Sequence, residues 1–137
     1  VDVDLVCERL ATAAAAVPGI VSSRPIVPDS VVVPCFYPGE ITESFDETFG
    51  GMVVVEIICR VYVTNSEGGQ RQLRRFMRRR GSTSVKQYLE ADPTLGGACD
   101  DLHVRRIQGH RIFRVGEVPY PGAEWLVRVI GTDSQEV

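Results

Sequence analysis

Thirteen residues, Met52 to Thr64, constrain this chain more than any other stretch. One parity is wholly apolar: Val53, Val55, Ile57, Cys59, Val61 and Val63. The other parity sets Glu56, Arg60 and Thr64 among Met52, Val54, Ile58 and Tyr62. Period-2 alternation in β-branched residues predicts a long central strand. The mixed second parity predicts a face only partly covered, with another subunit as one candidate cover.

The rest of the chain is read against that strand. Val3, Val6, Leu10, Ala13, Ala14 and Val17 recur at helical spacing and predict a helix over Asp2–Val17, ended by Pro18-Gly19. Its alanine run, Ala13 to Ala16, offers a smooth face for a sheet or for another subunit. Pro18, Pro25, Pro28, Pro34 and Pro38 then exclude helix and central strand. Ile26-Val27 and Val31-Val32-Val33 are candidate short extended pieces, the second the better candidate for pairing.

Residues 39–50 are polar and acidic, with Glu40, Glu43, Asp46 and Glu47, and read as a hairpin loop or long arm. Ile41, Phe45 and Phe49 within it are candidates for contact with a neighbour. Asn65 to Gly69 reads as a turn. A helix is expected over Gln70–Arg80, with Leu73, Phe76, Met77 and Arg80 inward and Gly81 as its stop. Ser84-Val85-Lys86-Gln87 has the form of a capping box opening a short helix.

The last third reads as β. A strand is expected from Leu102 to Val115, kinked by a bulge at Gly109. A turn follows over Gly116–Gly122, then a return strand from Ala123 to Ile130, with Ala123, Trp125, Val127 and Val129 on one face. Residues 131–137 read as a flexible polar tail. The fold class is α+β: a largely antiparallel sheet with helices packed on one face, in a single domain over residues 1–130. Its core is expected to hold Val55, Ile57, Leu102, Val61, Trp125 and Val127.

Chemistry is sparse. No metal or cofactor motif and no catalytic constellation stands out, so the chain reads as a non-enzyme. His103 and His110 read as surface side chains. Asp100 and Asp101 are a weak metal candidate, and Asp100 reads better as a turn residue leading into a strand. Cys7, Cys35, Cys59 and Cys99 have no ligand spacing and read as buried free thiols. No apolar run is long enough to span a bilayer, and Asp2 and Asp4 stand where a signal peptide would be basic. The expectation is synthesis in the cytosol.

One charged group stands out: Arg71, Arg74, Arg75, Arg78, Arg79 and Arg80. Three readings stand: a solvated helix face, a dock for an acidic protein surface, or a phosphate-binding patch. The net charge of −3 weighs against the last. The acidic residues Glu40, Glu43, Asp46 and Glu47 are complementary. They suit contact with the arginines of a neighbouring copy, the lining of a channel, or plain solvation.

The run from Ser84 to Leu102, SVKQYLEADPTLGGACDDL, resembles a stretch found in tail terminator proteins of siphophages that infect actinobacteria. Gly109-His110-Arg111 and Gly122-Ala123-Glu124-Trp125 are similar to that family at similar spacing. The likeness covers residues 82–130. It fits the opening helix and the strand at 52–64 loosely, and does not extend to the proline-rich segment or the arginine group.

The resemblance implies a lambda-like terminator fold and a homo-hexameric ring on the last ring of tail tube protein. The ring ends tube growth and presents a joining surface to head-completion and neck proteins. DNA passes through the lumen without specific binding. It implies no catalysis, no cofactor and no membrane, and a place in the host cytoplasm and then in the virion neck. Competing readings are another neck protein (head-closure, stopper or connector), a small nucleic-acid-binding module and a small enzyme.

Overall fold

A computed structural model of the chain describes residues 1–46 and 51–132. Its framework is a five-stranded sheet in the order β1-β2-β3-β5-β4. The strands are β1 (Ser22–Ser23), β2 (Cys35–Asp46), β3 (Met52–Tyr62), β4 (Asp101–Val115) and β5 (Val118–Thr132). Among the described strands only the β1–β2 pair is parallel. Three helices, α1 (Val3–Ala15), α2 (Glu67–Phe76) and α3 (Val85–Leu89), complete an α+β fold.

The alternation in β3 does what its sequence requires. Val53, Val55, Ile57, Cys59, Val61 and Val63 are all buried, and β3 is flanked by β2 and β5. The helices supply the other half of this core through Val6, Leu10, Ala14, Leu73, Phe76, Val85 and Leu89. Trp125, Val127 and Leu102 join it from β5 and β4, as expected. Asp2 caps α1, its carboxylate accepting from the Asp4 and Leu5 amides at 3.1 and 3.3 Å.

Several expectations are corrected. Residues 39–46 are not a loop but the outer half of β2, paired with β3 out to Asp46 and Met52. A bulge between Pro38 and Glu40 absorbs the proline that argued against a strand. Ile26, Val27 and Val32 form no strand and are exposed; Ser22 and Ser23 pair with β2 instead. Val31 and Val33 pack on a second, small cluster of Cys35, Tyr37 and Tyr62.

The second helix begins and ends earlier than its arginines suggest. Ser66 caps it, accepting from the Gly69 amide at 3.0 Å, so Gly68-Gly69 lies in its first turn rather than in a loop. A Cβ on Gly69 would collide with the Thr64 carbonyl, so only glycine lets the helix start this close to the end of β3. The helix stops at Phe76, which leaves Arg78, Arg79 and Arg80 outside it and Arg80 exposed rather than inward.

The capping box is half formed. Ser84 accepts from the Gln87 amide at 3.1 Å, while the Gln87 side chain accepts from the Gly81 amide at 3.0 Å.

In the C-terminal hairpin the turn is only Gly116-Glu117, and Val118 to Gly122 are already strand. Pro119 and Pro121 are tolerated there because the β3 ladder ends opposite Gly122, and the one further bond on that side, from Val63 N to Pro121 O at 2.9 Å, uses the proline's carbonyl and needs no N–H. Gly109 sits at the expected bulge with φ +66°, a value that favours glycine. A second bulge lies between Val104 and Arg106. Gly131 and Thr132 pair with Val53 and Met52, so β5 runs past residue 130 and they are not tail. Residues 133–137, and Glu47 and Phe49, lie outside the described residues.

Candidate interaction surfaces

The arginine group is split between two elements. Arg71, Arg74 and Arg75 lie on α2, and Arg78, Arg79 and Arg80 on the segment after it. All six are exposed. Arg71 meets Glu67 at 3.1 Å; the other five form no ion pair with a described residue. Arg71, Arg74, Arg75 and Arg78 line one shallow depression, and Arg79 and Arg80 share another with Lys86 and Glu90. The cluster is therefore positive ground with few internal counter-charges, a surface suited to an anionic partner.

The acidic residues do not meet it within the chain. Glu40 pairs with Arg60 at 3.5 Å. Glu43 is exposed on β2 and makes no ion pair with a described residue. Asp46 ends the strand, and Glu47 lies outside the described residues. Ile41 and Phe45 are exposed, as their sequence context suggested. Their pairing with Ile57 and Val53 puts them on the helix side of the sheet, where nothing among the described residues covers them.

Among the described residues the opposite face carries no helix. Its rows follow from the register: Thr42, Glu56, Arg128 and His103 run across four strands, and Glu40, Ile58, Leu126 and Arg106 form a neighbouring row. Ser44, Val54, Glu56, Arg105, Arg106, Leu126 and Arg128 line an open cleft of about 490 Å³. The Arg128 Nε is buried without a hydrogen-bond partner among the described residues. Sequence reading noted the mixed parity of β3 but missed this basic cleft. Its signal was Arg105-Arg106 and Arg128, which only the register brings together.

Towards the Tyr62 end the same face is closed by side chains. Arg60 Nε donates to Glu124 Oε2 at 2.8 Å, and Glu124 is buried. The Tyr37 and Tyr62 hydroxyls lie 2.9 Å apart. Tyr62 stacks on Tyr120, and Arg111 lies 4.1 Å from the Phe113 ring centroid.

The four cysteines are free and buried. Burial raises Cys7, Cys35 and Cys99 to about 11 and pushes Cys59 higher still, so all four stay protonated at neutral pH. His103 and His110 are exposed. Asp100 leads into β4, its amide donating to Ile130 O at 2.9 Å. Among the described residues no group of three His, Cys, Asp or Glu side chains is placed to hold a metal ion. No helix among them is long and apolar enough to cross a membrane.

Glu90 joins α3 to β4. Burial raises its pKa, but Lys86 Nζ at 2.5 Å, the Val104 amide at 2.8 Å and His103 at 3.4 Å outweigh this and hold it below the ordinary glutamate value. A depressed carboxylate contributes stability above its unfolded pKa, and that contribution is lost as pH falls through the folded one. Glu90→Gln should therefore be less stable than wild type near neutral pH, with the gap closing in acid. Urea unfolding at about pH 7 and about pH 3 checks this. A gap independent of pH would show that the charge is not what matters.

No protein-family model matches the chain, and no curated protein matches it either.

Proposed function

We propose that the chain is a structural virion protein, a tail terminator that caps the tail tube as a hexameric ring and presents the head-joining surface. The observation that carries this reading is a sheet finished on one side only. Helices bury one face, while on the other Val54, Ile58, Leu126 and Ile130 stay half-buried beside Glu56, Arg105, Arg106 and Arg128. Such a mixed face suits an assembly partner better than a small-molecule ligand.

The residues that resemble terminators also hold this architecture. Ser84 caps α3, Gly109 makes the bulge in β4, and Trp125 fills the core. Asp92 accepts from the Thr94 and Gly96 amides and fixes the turn before β4. In this reading tube protein and neck proteins are the partners, and DNA passes without being read.

The test is addition of purified chain to growing tubes of the tube protein from the same genome. Binding confined to tube ends, with growth arrested, is expected. Binding along tube walls, or none, overturns the proposal. Retardation of DNA with a steep salt dependence would favour a nucleic-acid-binding module.

The arginine group makes a separate prediction. Arg74 and Arg75 are exposed and without an ionic partner among the described residues, so reversing both to glutamate should leave the thermal unfolding curve within about 0.5 kcal/mol of wild type. If they face a protein partner, the same variant should fail to complete tails. Normal yields of infectious particles would reduce the patch to a solvated face.

A further inference from the structure

Among the described residues both long edges of the sheet have open stretches, and the two edges are opposite in charge. At one edge, β1 covers β2 only at Cys35 and Phe36. Among the described residues no backbone hydrogen bond reaches the outer side of Glu40–Asp46. From Cys35 to Asp46 the strand contains acids and no Lys, Arg or His. At the other edge, β4 carries His103, Arg105, Arg106, His110, Arg111 and Arg114, with no acid between Leu102 and Val115.

Only part of the β4 edge is usable. The Val104 amide is already taken by Glu90, and the strand bulges at Arg105 and again at Gly109. Beyond the second bulge, Arg111 to Val115 pairs with β5 in regular register, and no described backbone hydrogen bond reaches its outer side. An unblocked edge of this kind is a template for another strand.

We propose that the outer edge of β2 in one copy pairs antiparallel with the outer edge of this β4 arm in a second copy. The side chains choose a register. On the helix side of the sheet β2 presents Ile41, Glu43 and Phe45, and the arm presents Ile112 and Arg114, which alternate with Arg111 and Phe113 on the open face.

Placing Glu43 opposite Arg114 sets Phe45 opposite Ile112. An opposite-charge pair and an apolar pair then form side by side. Phe45 is 64% exposed and Ile112 50%, so both gain cover. Self-pairing of two β2 edges would instead bring acid against acid. Because two different edges meet, the contact is head-to-tail and can propagate into a closed ring.

This contact supplies the subunit interface that the ring reading requires, and it is tested apart from that reading. In sedimentation, wild type is expected to self-associate. Glu43→Arg and Arg114→Glu should each weaken association roughly tenfold, and the double reversal should restore most of it.

Phe45→Cys mixed with Ile112→Cys should give a disulfide-linked dimer under mild oxidation. Ser44→Cys mixed with Ile112→Cys should not, because the one-residue slip puts the sulfurs on opposite faces. A chain that stays monomeric, a failed Phe45–Ile112 cross-link, or equal linking by the slipped pair overturns the proposal. A hexamer that forms without the cross-link overturns the edge contact alone and leaves the ring reading standing; failure to bind tube ends does the reverse.

Discussion

Trp125→Ala should cost about 3–5 kcal/mol and lower the melting temperature by roughly 10–20 °C. Trp125 is fully buried on β5, opposite Cys59 of β3 and Ile107 of β4, where the helix side of the sheet is closed. Removing the indole leaves a cavity that three hydrogen-bonded strands cannot collapse into. The indole also carries a cost, since its Nε1 is buried with no acceptor among the described residues. Trp125→Phe keeps most of the volume and deletes that orphan donor, so it should cost well under half as much as the alanine change. Chemical denaturation of both variants decides the matter. Equal losses would mean that the indole N–H is engaged after all.

What the sequence revealed about Trp125 it concealed about β2, for a physical reason. Alternation around Trp125 and in β3 is a local signal, because a half-buried strand writes its burial into every second residue. The outer half of β2 has no such signal. Its helix-side residues Ile41, Glu43 and Phe45 are exposed, and Pro38 and Gly39 contradict strand propensity. Its extended state is set by pairing with β3, a partner that propensity cannot see.

The limits of α2 were obscured differently. Arginine favours helix, so the run to Arg80 suggested continuation, yet the chain turns after Phe76, with Thr83 and Ser84 hydroxyls bonding the Arg75 and Arg78 carbonyls. Ser66 three residues before Gly69 was the legible start signal, and the adjacent glycines masked it.

The candidate surfaces divide along the same line. The six arginines were visible because they crowd into residues 71–80 of the sequence, and the structure leaves all but Arg71 without an ionic partner among the described residues. The basic cleft and the charged β4 edge were not visible. Arg105 and Arg106 belong together with Arg128 only through a bulge and a register that join residues more than twenty positions apart.

The second large effect is expected at Arg60, on the uncovered side of the sheet. Arg60→Met should destabilise the chain by about 3 kcal/mol, far more than loss of a surface ion pair. The reason lies in its partner. The Glu124 side chain is only 8% exposed, and Arg60 Nε at 2.8 Å is its one ionic contact among the described residues. Without the guanidinium, the carboxylate keeps, among the described residues, the bond from the Gln108 amide at 3.5 Å.

Burial opposes the charge of Arg60, but bonds to Glu124 and Tyr37 outweigh it and hold the group firmly protonated. The guanidinium therefore keeps its charge beside the Glu124 side chain. Replacing both partners is a different experiment. Arg60→Met with Glu124→Leu removes the buried charge together with its counter-charge, and two well-packed apolar side chains often match or exceed the stability of a buried pair.

The double variant should therefore recover most of what Arg60→Met loses. A double-mutant cycle should give a coupling of at least about 1 kcal/mol. Near-additive losses would show instead that Arg60 acts by packing its stem against Phe113, whose ring centroid lies 5.8 Å from the guanidinium carbon.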